Sequence, residues 1–303
     1  MNHEKAAAGA WLAVAAGTIG ALLATLDISI VNASLPTIQG EIGASGSEGT
    51  WISTAYLVAE IVMIPLAGWF QSIFGLRGFL LIATVAFTLC SMWCGISGSL
   101  LQMILGRVGQ GFTGGAMIPT AMTIVATRLP PRQQPVGVAL FGMTAVLGPV
   151  LGPVVGGWLT ENMSWHYAFF LNLPIGIGLL ALLILGLPRQ KTNWGALKDT
   201  DVLGLAGLTF GLGALTVMLE EGQKERWFES PMICALAVVA ALGFVSLFAG
   251  QALARRPIIQ LKILRNHSFA GVFVMSLVLG SALYGILYLV PQFLAAVPGY
   301  NTQ

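Results

Sequence analysis

The chain has 303 residues, of which 56% are hydrophobic and 9% charged, and its mean hydropathy is +0.84. A water-soluble domain of this length would not tolerate that surface, so the composition indicates an integral membrane protein; the net charge of +2 gives no footing for nucleic acid. Continuous apolar runs without period-2 alternation exclude a membrane β-barrel.

A helix crossing the roughly 30 Å hydrocarbon layer needs about 20 mostly apolar residues. Nine such stretches follow one another, at 10–35, 51–71, 78–97, 101–127, 136–159, 167–187, 202–219, 231–253 and 268–295. The expected fold class is therefore an all-α polytopic membrane protein. The first run is too long for a signal peptide and carries Asp27 without a clear small-residue cleavage site beyond it. With the amino terminus inside, the inner segments hold Lys5, Arg77, Arg128, Arg132, Arg189, Lys191, Lys198, Arg255, Arg256, Lys262 and Arg265. The outer segments hold Lys224 and Arg226, and this asymmetry predicts a cytoplasmic amino terminus.

In helix 1 the stretch LDISIVNASLP, Leu26 to Pro36, places Asp27 and Asn32 in an apolar run. Helix 2 contributes Glu60 and helix 4 Arg107, and each buried charge costs roughly 2.5–3.5 kcal/mol on insertion scales. At about 1.5 Å per residue the three sit about 12, 13 and 9 Å below the outer ends of their helices, so they share a depth. Two readings follow: a structural salt bridge that fixes helix packing, or a carboxylate that exchanges a proton while Arg107 offsets its charge.

Arg107 lies in LGRVGQGFTGGAMIP, Leu105 to Pro119, where Gly111 and Gly114 give another helix, a cavity or a substrate room to approach the guanidinium. Asn32 reads equally as a structural hydrogen bond between helices, since polar side chains act as glue in lipid. In helix 5, Gly148, Gly152 and Gly156 recur every four residues, with Pro149 and Pro153 beside them. The spacing predicts a flat stripe for close helix contact and a joint that can bend. Cys90, Cys94 and Cys234 fall within spans and read as small buried core residues rather than metal ligands. His3, His166 and His267 read as interfacial.

At these residues the chain resembles the major facilitator superfamily, in its fourteen-helix drug:proton antiporter branch, and most closely the EmrB-like multidrug exporters. Leu26 to Pro36 is similar to that branch's LDxTxVNVALP, and Arg107, Gln110 and Gly111 match its RxxQG core. Gly148, Gly152, Pro153, Gly156 and Gly157 resemble the antiporter motif GxxxGPxxGG. WHYAFFLNLPIG, Trp165 to Gly176, is similar to the family's WRxxFxINxPIG. Asp201 and Gly204 match a DxxG element, and Pro257 to Phe269 resembles the loop into helix 9. One departure concerns the loop after helix 2: Gly68, Gly75 and Arg77 of the pattern GxxxDRxGRR are present, but Ser72 and Ile73 replace its Asp-Arg pair. The other is length, since a fourteen-helix relative would continue for five more spans.

The resemblance implies a major facilitator fold. Residues 1–188 would form the amino-terminal six-helix bundle, 189–256 an inserted helix pair, and 257–303 the first helix of an incomplete carboxy-terminal bundle. It implies proton-coupled efflux of lipophilic, often cationic compounds across the bacterial inner membrane, this chain being a fragment of the transporter. Asp27 would be the proton-coupling acid, Arg107 its partner and Glu60 a second acid. Gln110, Gly111, Gly114 and Asn32 would line the substrate cavity, and Gly148 to Gly157 would form the joint. No cofactor is expected, since the proton gradient drives the exchange. The partners would be small lipophilic substrates, protons and the lipid bilayer, with a periplasmic adaptor and an outer-membrane channel; the outer loop Glu220 to Ser230 is the candidate adaptor contact, and a solvated loop is the slightly favoured alternative for it. Two rivals stand beside this: a dedicated exporter of one metabolite, such as a siderophore or fatty acid, and a non-transporting membrane scaffold. An enzyme is not expected, because no Ser-His, Cys-His or HExxH constellation and no GxxxxGK[ST] loop occurs.

Overall fold

The computed structural model describes residues 6–197, 200–254 and 257–296. Lys5, Lys198, Arg255 and Arg256 of the orientation argument, and His3, lie outside them. Nine long helices run through the described residues, close to the spans expected. Helix α1 is Ala8–Glu41, and a helical stretch Trp51–Gly95 follows. This stretch would be about 68 Å long if straight, twice the hydrocarbon thickness. Gly75 breaks it, with φ 70° and ψ 159°, a conformation open to glycine and costly for any residue with a Cβ. The arms 51–74 (α2) and 76–95 (α3) turn back on each other there, which brings the Phe70 and Phe79 rings to a stack at 5.7 Å.

The remaining helices are α4 (Leu100–Arg128), α5 (Gln134–Asn162), α6 (His166–Gly186), α7 (Val202–Glu221), α8 (Pro231–Leu253) and α9 (His267–Ala296). Local chemistry sets several of their starts. Ser45 and Glu48 form a capping box in the turn before α2, and the Ser45 hydrogen bonds hold the Glu48 carboxyl below its usual range. Ser99 caps α4, Asp201 Oδ1 accepts from Gly204 N at 2.7 Å to cap α7, and proline opens α5 and α8.

The chain divides into two units, Met1–Ile258 and Ile259–Gln303. The second consists of a 3-10 turn, Leu261–Arg265, and α9. In the first, α4 is the central helix, packed against α1, α2, α3 and α5. Protein rather than lipid surrounds much of it, so it tolerates Arg107, Gln110 and its glycines, which keep it below the hydropathy of its neighbours. Gly106 and Gly109 of α4 lie against Cys94 and Cys90 of α3, while Gly111 and Gly115 lie on the backbone of Tyr56 and Glu60 in α2. The α7 and α8 helices cross at Gly207, Gly211 and Gly243. The α7 helix reaches α2 through Trp69 Nε1, which donates to Thr200 Oγ1 at 3.1 Å, and Thr54 Oγ1, which donates to Glu221 Oε1 at 3.2 Å.

Two apolar clusters fill the six-helix part. One contains Ala13, Leu23, Tyr56, Phe87, Met117 and Leu179; the other contains Val31, Ile52, Cys94, Met103, Trp165 and Phe169. Asp27 and Arg107 fall in sequence between the two sets.

Candidate functional site

The charges on α1 and α4 meet. Arg107 Nη1 donates to Asp27 Oδ2 at 2.5 Å, with both side chains fully enclosed. An unpaired carboxylate in such surroundings is prohibitive, and the ion pair is compensated by further donors rather than by water. Gln110 Nε2 donates to Asp27 Oδ1 at 3.0 Å, and Asn172 Nδ2 on α6 donates to the same oxygen at 2.6 Å. Asn172 also donates to Ser91 Oγ on α3 at 2.8 Å, and Ser91 in turn donates to the Phe169 carbonyl at 2.8 Å. One carboxylate thus connects α1, α3, α4 and α6.

The guanidinium is held from several sides. Its Nε donates to the Ile52 carbonyl at 3.3 Å, its Nη1 also donates to Gln110 Oε1 at 3.1 Å, and its carbon lies 4.1 Å from the centre of the Tyr56 ring. Tyr56 is fixed by its own hydroxyl, which donates to the Ala24 carbonyl at 3.0 Å. Nη2 is buried with no hydrogen-bond partner. Glu60 stands one turn along α2 from Tyr56; it is 9% exposed and makes no ion pair within 4 Å among the described residues. Of the three matched charges, two are therefore bonded and the third is near them without a direct bond.

The other expected site residues separate from this centre. Asn32 is exposed and accepts from Ser53 Oγ at 2.5 Å, a bond between α1 and α2. Gly111 and Gly114 do not border open space, because the Tyr56 backbone covers the first and the Tyr56 hydroxyl and Phe87 ring cover the second. Their place is helix contact, and Gln110 is fully buried in the Asp27 network.

The α5 stripe faces α1: Gly148 meets Thr25, Gly152 meets Ser29, and Gly156 meets Ile30 and Ala33. Polar pairs continue the seam at both ends, with Thr25 Oγ1 donating to the Thr144 carbonyl at 3.3 Å and Thr160 Oγ1 donating to Ser34 Oγ at 2.8 Å. Gly157 faces open space, Pro153 is exposed, and α5 runs unbroken past both prolines. Of the cysteines, Cys94 is buried and Cys90 half-buried, but Cys234 is exposed on α8, which corrects the expectation of a core position.

Sequence reasoning missed Asn172 and Ser91. The signal for Asn172 was on the page, as the amide within the apolar FFLNLPIG run; Ser91 is an ordinary small residue whose partner only the fold supplies.

The profile of the Major Facilitator Superfamily matches residues 17–303. The chain is similar to the colistin resistance protein EmrB of Acinetobacter baumannii, 34% identical over 294 residues that cover 97% of this chain and 57% of that protein. It is 35% identical to the multidrug export protein EmrB of Escherichia coli K12, over 99% of this chain and 59% of that one. The chain therefore spans somewhat more than half the length of these relatives. Among solved structures, a D-xylose-proton symporter superimposes with a TM-score of 0.51 at 16% identity, covering 82% of this chain and 81% of that one, which shows a shared fold. These matches mark a multi-span membrane protein of a transporter family rather than an enzyme. On the match along nearly its whole length, the chain belongs to the Major Facilitator Superfamily.

Proposed function

We propose that the protein carrying this chain exports lipophilic, often cationic compounds in exchange for protons across a bacterial inner membrane, with its amino terminus in the cytoplasm. The observation that carries this reading is the enclosed Asp27–Arg107 pair, supported by Gln110 and Asn172. Intramembrane acids paired in this way mark proton relays in transporters. A proton on Asp27 removes the charge that holds Arg107 Nη1, and the bonds that tie four helices through one carboxylate weaken together. Arg107 then keeps the Ile52 carbonyl, Gln110 and the Tyr56 ring, and Glu60 is the second acid near enough to answer its charge. A protonation event is in this way converted into a change of helix contacts, the step that alternating access requires.

In this reading residues 1–188 form the amino-terminal bundle, 189–256 the inserted pair and 257–303 the start of a second bundle. The stripe Gly148 to Gly157 is the joint of this scheme, and its close packing on α1 supports that role. A periplasmic adaptor and an outer-membrane channel complete the path, with Glu220 to Ser230 as the adaptor contact. The loop is held by its own chain, with Arg226 and Trp227 in left-handed backbone and Lys224 Nζ donating to both Glu221 and Thr50.

The test is proton release when ethidium is added to purified protein in weakly buffered detergent. It compares this chain, a version extended by the last five helices of a relative, and Asp27→Asn in each. Release from the extended form that disappears in Asp27→Asn is expected. Ethidium tolerance conferred by the extended form and unchanged by Asp27→Asn would remove Asp27 from coupling and direct the same test to Glu60→Gln.

A further inference from the structure

The end of the bundle that holds the α2–α3 turn contains a cavity of about 570 Å³, whose polar walls include Gln71, Ser72, Thr127, Arg128, Gln190 and Lys191. A second cavity, of about 490 Å³, lies on the other side of Thr127 and Arg128. Arg128, the last residue of α4, is half-buried between them, and its Nε is enclosed without a hydrogen-bond partner. Among the described residues neither Arg128 nor Lys191 has an acid within 4 Å, and no carboxylate lines either cavity. Ser72 stands where the resembled loop pattern carries aspartate, so that wall offers a hydroxyl instead of a counter-charge.

The formal charge on this lining has one sign, carried by Arg128 and Lys191. Thr127 Oγ1 donates to the Thr123 carbonyl and Ser72 Oγ to the Trp69 carbonyl, so these two hydroxyls keep only lone pairs and the donors for an anion come from other side chains. Gln190 Oε1 accepts from Leu76 N at 2.6 Å, which fixes the side chain and leaves its amide protons as donors. A guanidinium, an ammonium and amide donors converge on a space with no acid in it, which is the chemistry of an anion site. The position at the helix ends sets it at the level of lipid headgroups, where basic pockets between membrane helices take phosphate.

We propose that this cavity binds a phosphate-bearing anion, supplied by the headgroup of an anionic phospholipid, with Arg128 and Lys191 as its charge partners. This site is separate from the Asp27 centre and its test does not depend on transport. The purified chain is placed in mixed micelles with phosphatidylglycerol or phosphatidylcholine, and retained lipid is counted by native mass spectrometry, with and without inorganic phosphate. Preferential retention of phosphatidylglycerol is expected. It should weaken about fivefold in Arg128→Gln and in Lys191→Gln, and at least as much in Ser72→Asp, which returns a carboxylate to the wall. Lys191 is exposed, so its substitution tests the charge without endangering the fold. Retention that millimolar phosphate does not displace supports the headgroup. Phosphate binding without any lipid preference keeps the anion site but overturns the lipid as its source. Equal retention of both lipids with no phosphate binding, or a phosphatidylglycerol preference that all three variants keep, overturns the site.

Discussion

Helix α1 meets α5 through atoms with almost no side chain between them, and meets α4 through an ion pair. At the first contact Gly148, Gly152 and Gly156 let the α5 backbone settle on Thr25, Ser29 and Ile30, and no charge is present. At the second, Arg107 and Asp27 are large and fully enclosed, and hydrogen bonds from Gln110 and Asn172 make the burial tolerable. The first interface is specified by shape and responds to added volume. The second is specified by charge and responds to protonation, which volume cannot mimic. A helix joined in one way to α5 and in another to α4 carries its two neighbours differently when a proton arrives.

Asp27→Asn should give the largest effect, because it leaves the Arg107 charge enclosed without a counter-ion; a loss of about 3–5 kcal/mol is expected, read as unfolding midpoint in a denaturing-detergent titration. Adding Arg107→Gln should recover part of that loss, and a double-mutant cycle without coupling would show that the pair does not act as a unit. At the seam, Gly152→Ala puts a methyl group against Ser29 and should cost about 1–3 kcal/mol in the same titration. Gly157→Ala, one step beyond Gly156 and facing open space, should stay within about 0.5 kcal/mol. Equal effects at the two glycines would mean that packing at the seam is not shape-limited. Asn172→Ala should be the mildest change at the charged contact, about 1 kcal/mol, since Gln110 and Arg107 still hold Asp27. If it matched Asp27→Asn, the amide rather than the guanidinium would be the main support of the carboxylate.

Most of the fold was legible in the residues, since apolar runs bounded by Gly, Pro and basic loops follow from bilayer thickness alone. The reversal after helix 2 was legible too, since the spans 51–71 and 78–97 leave an inner loop with Arg77 between them; what the residues did not show is that Gly75 alone makes the turn, with helix running up to it on both sides. At the centre, matched depth was enough to suggest that Asp27 and Arg107 meet. Depth fixes position along a helix and says little about rotation around it. Rotation is what turned Asn32 toward Ser53, set Gly111 and Gly114 under Tyr56, and brought Asn172 from a distant span to Asp27.

The reversal at Gly75 also has a mechanical meaning. One residue leaves its helix geometry there, the next amide, Leu76 N, is held by Gln190, and the Ile73 carbonyl accepts from Asn193 N at 2.7 Å. Both sides of the elbow are thus tied to the same short segment, Gln190 to Asn193. A tilt of α2 begun beside Tyr56 and Glu60 would therefore pull on the segment that follows α6 through these two bonds.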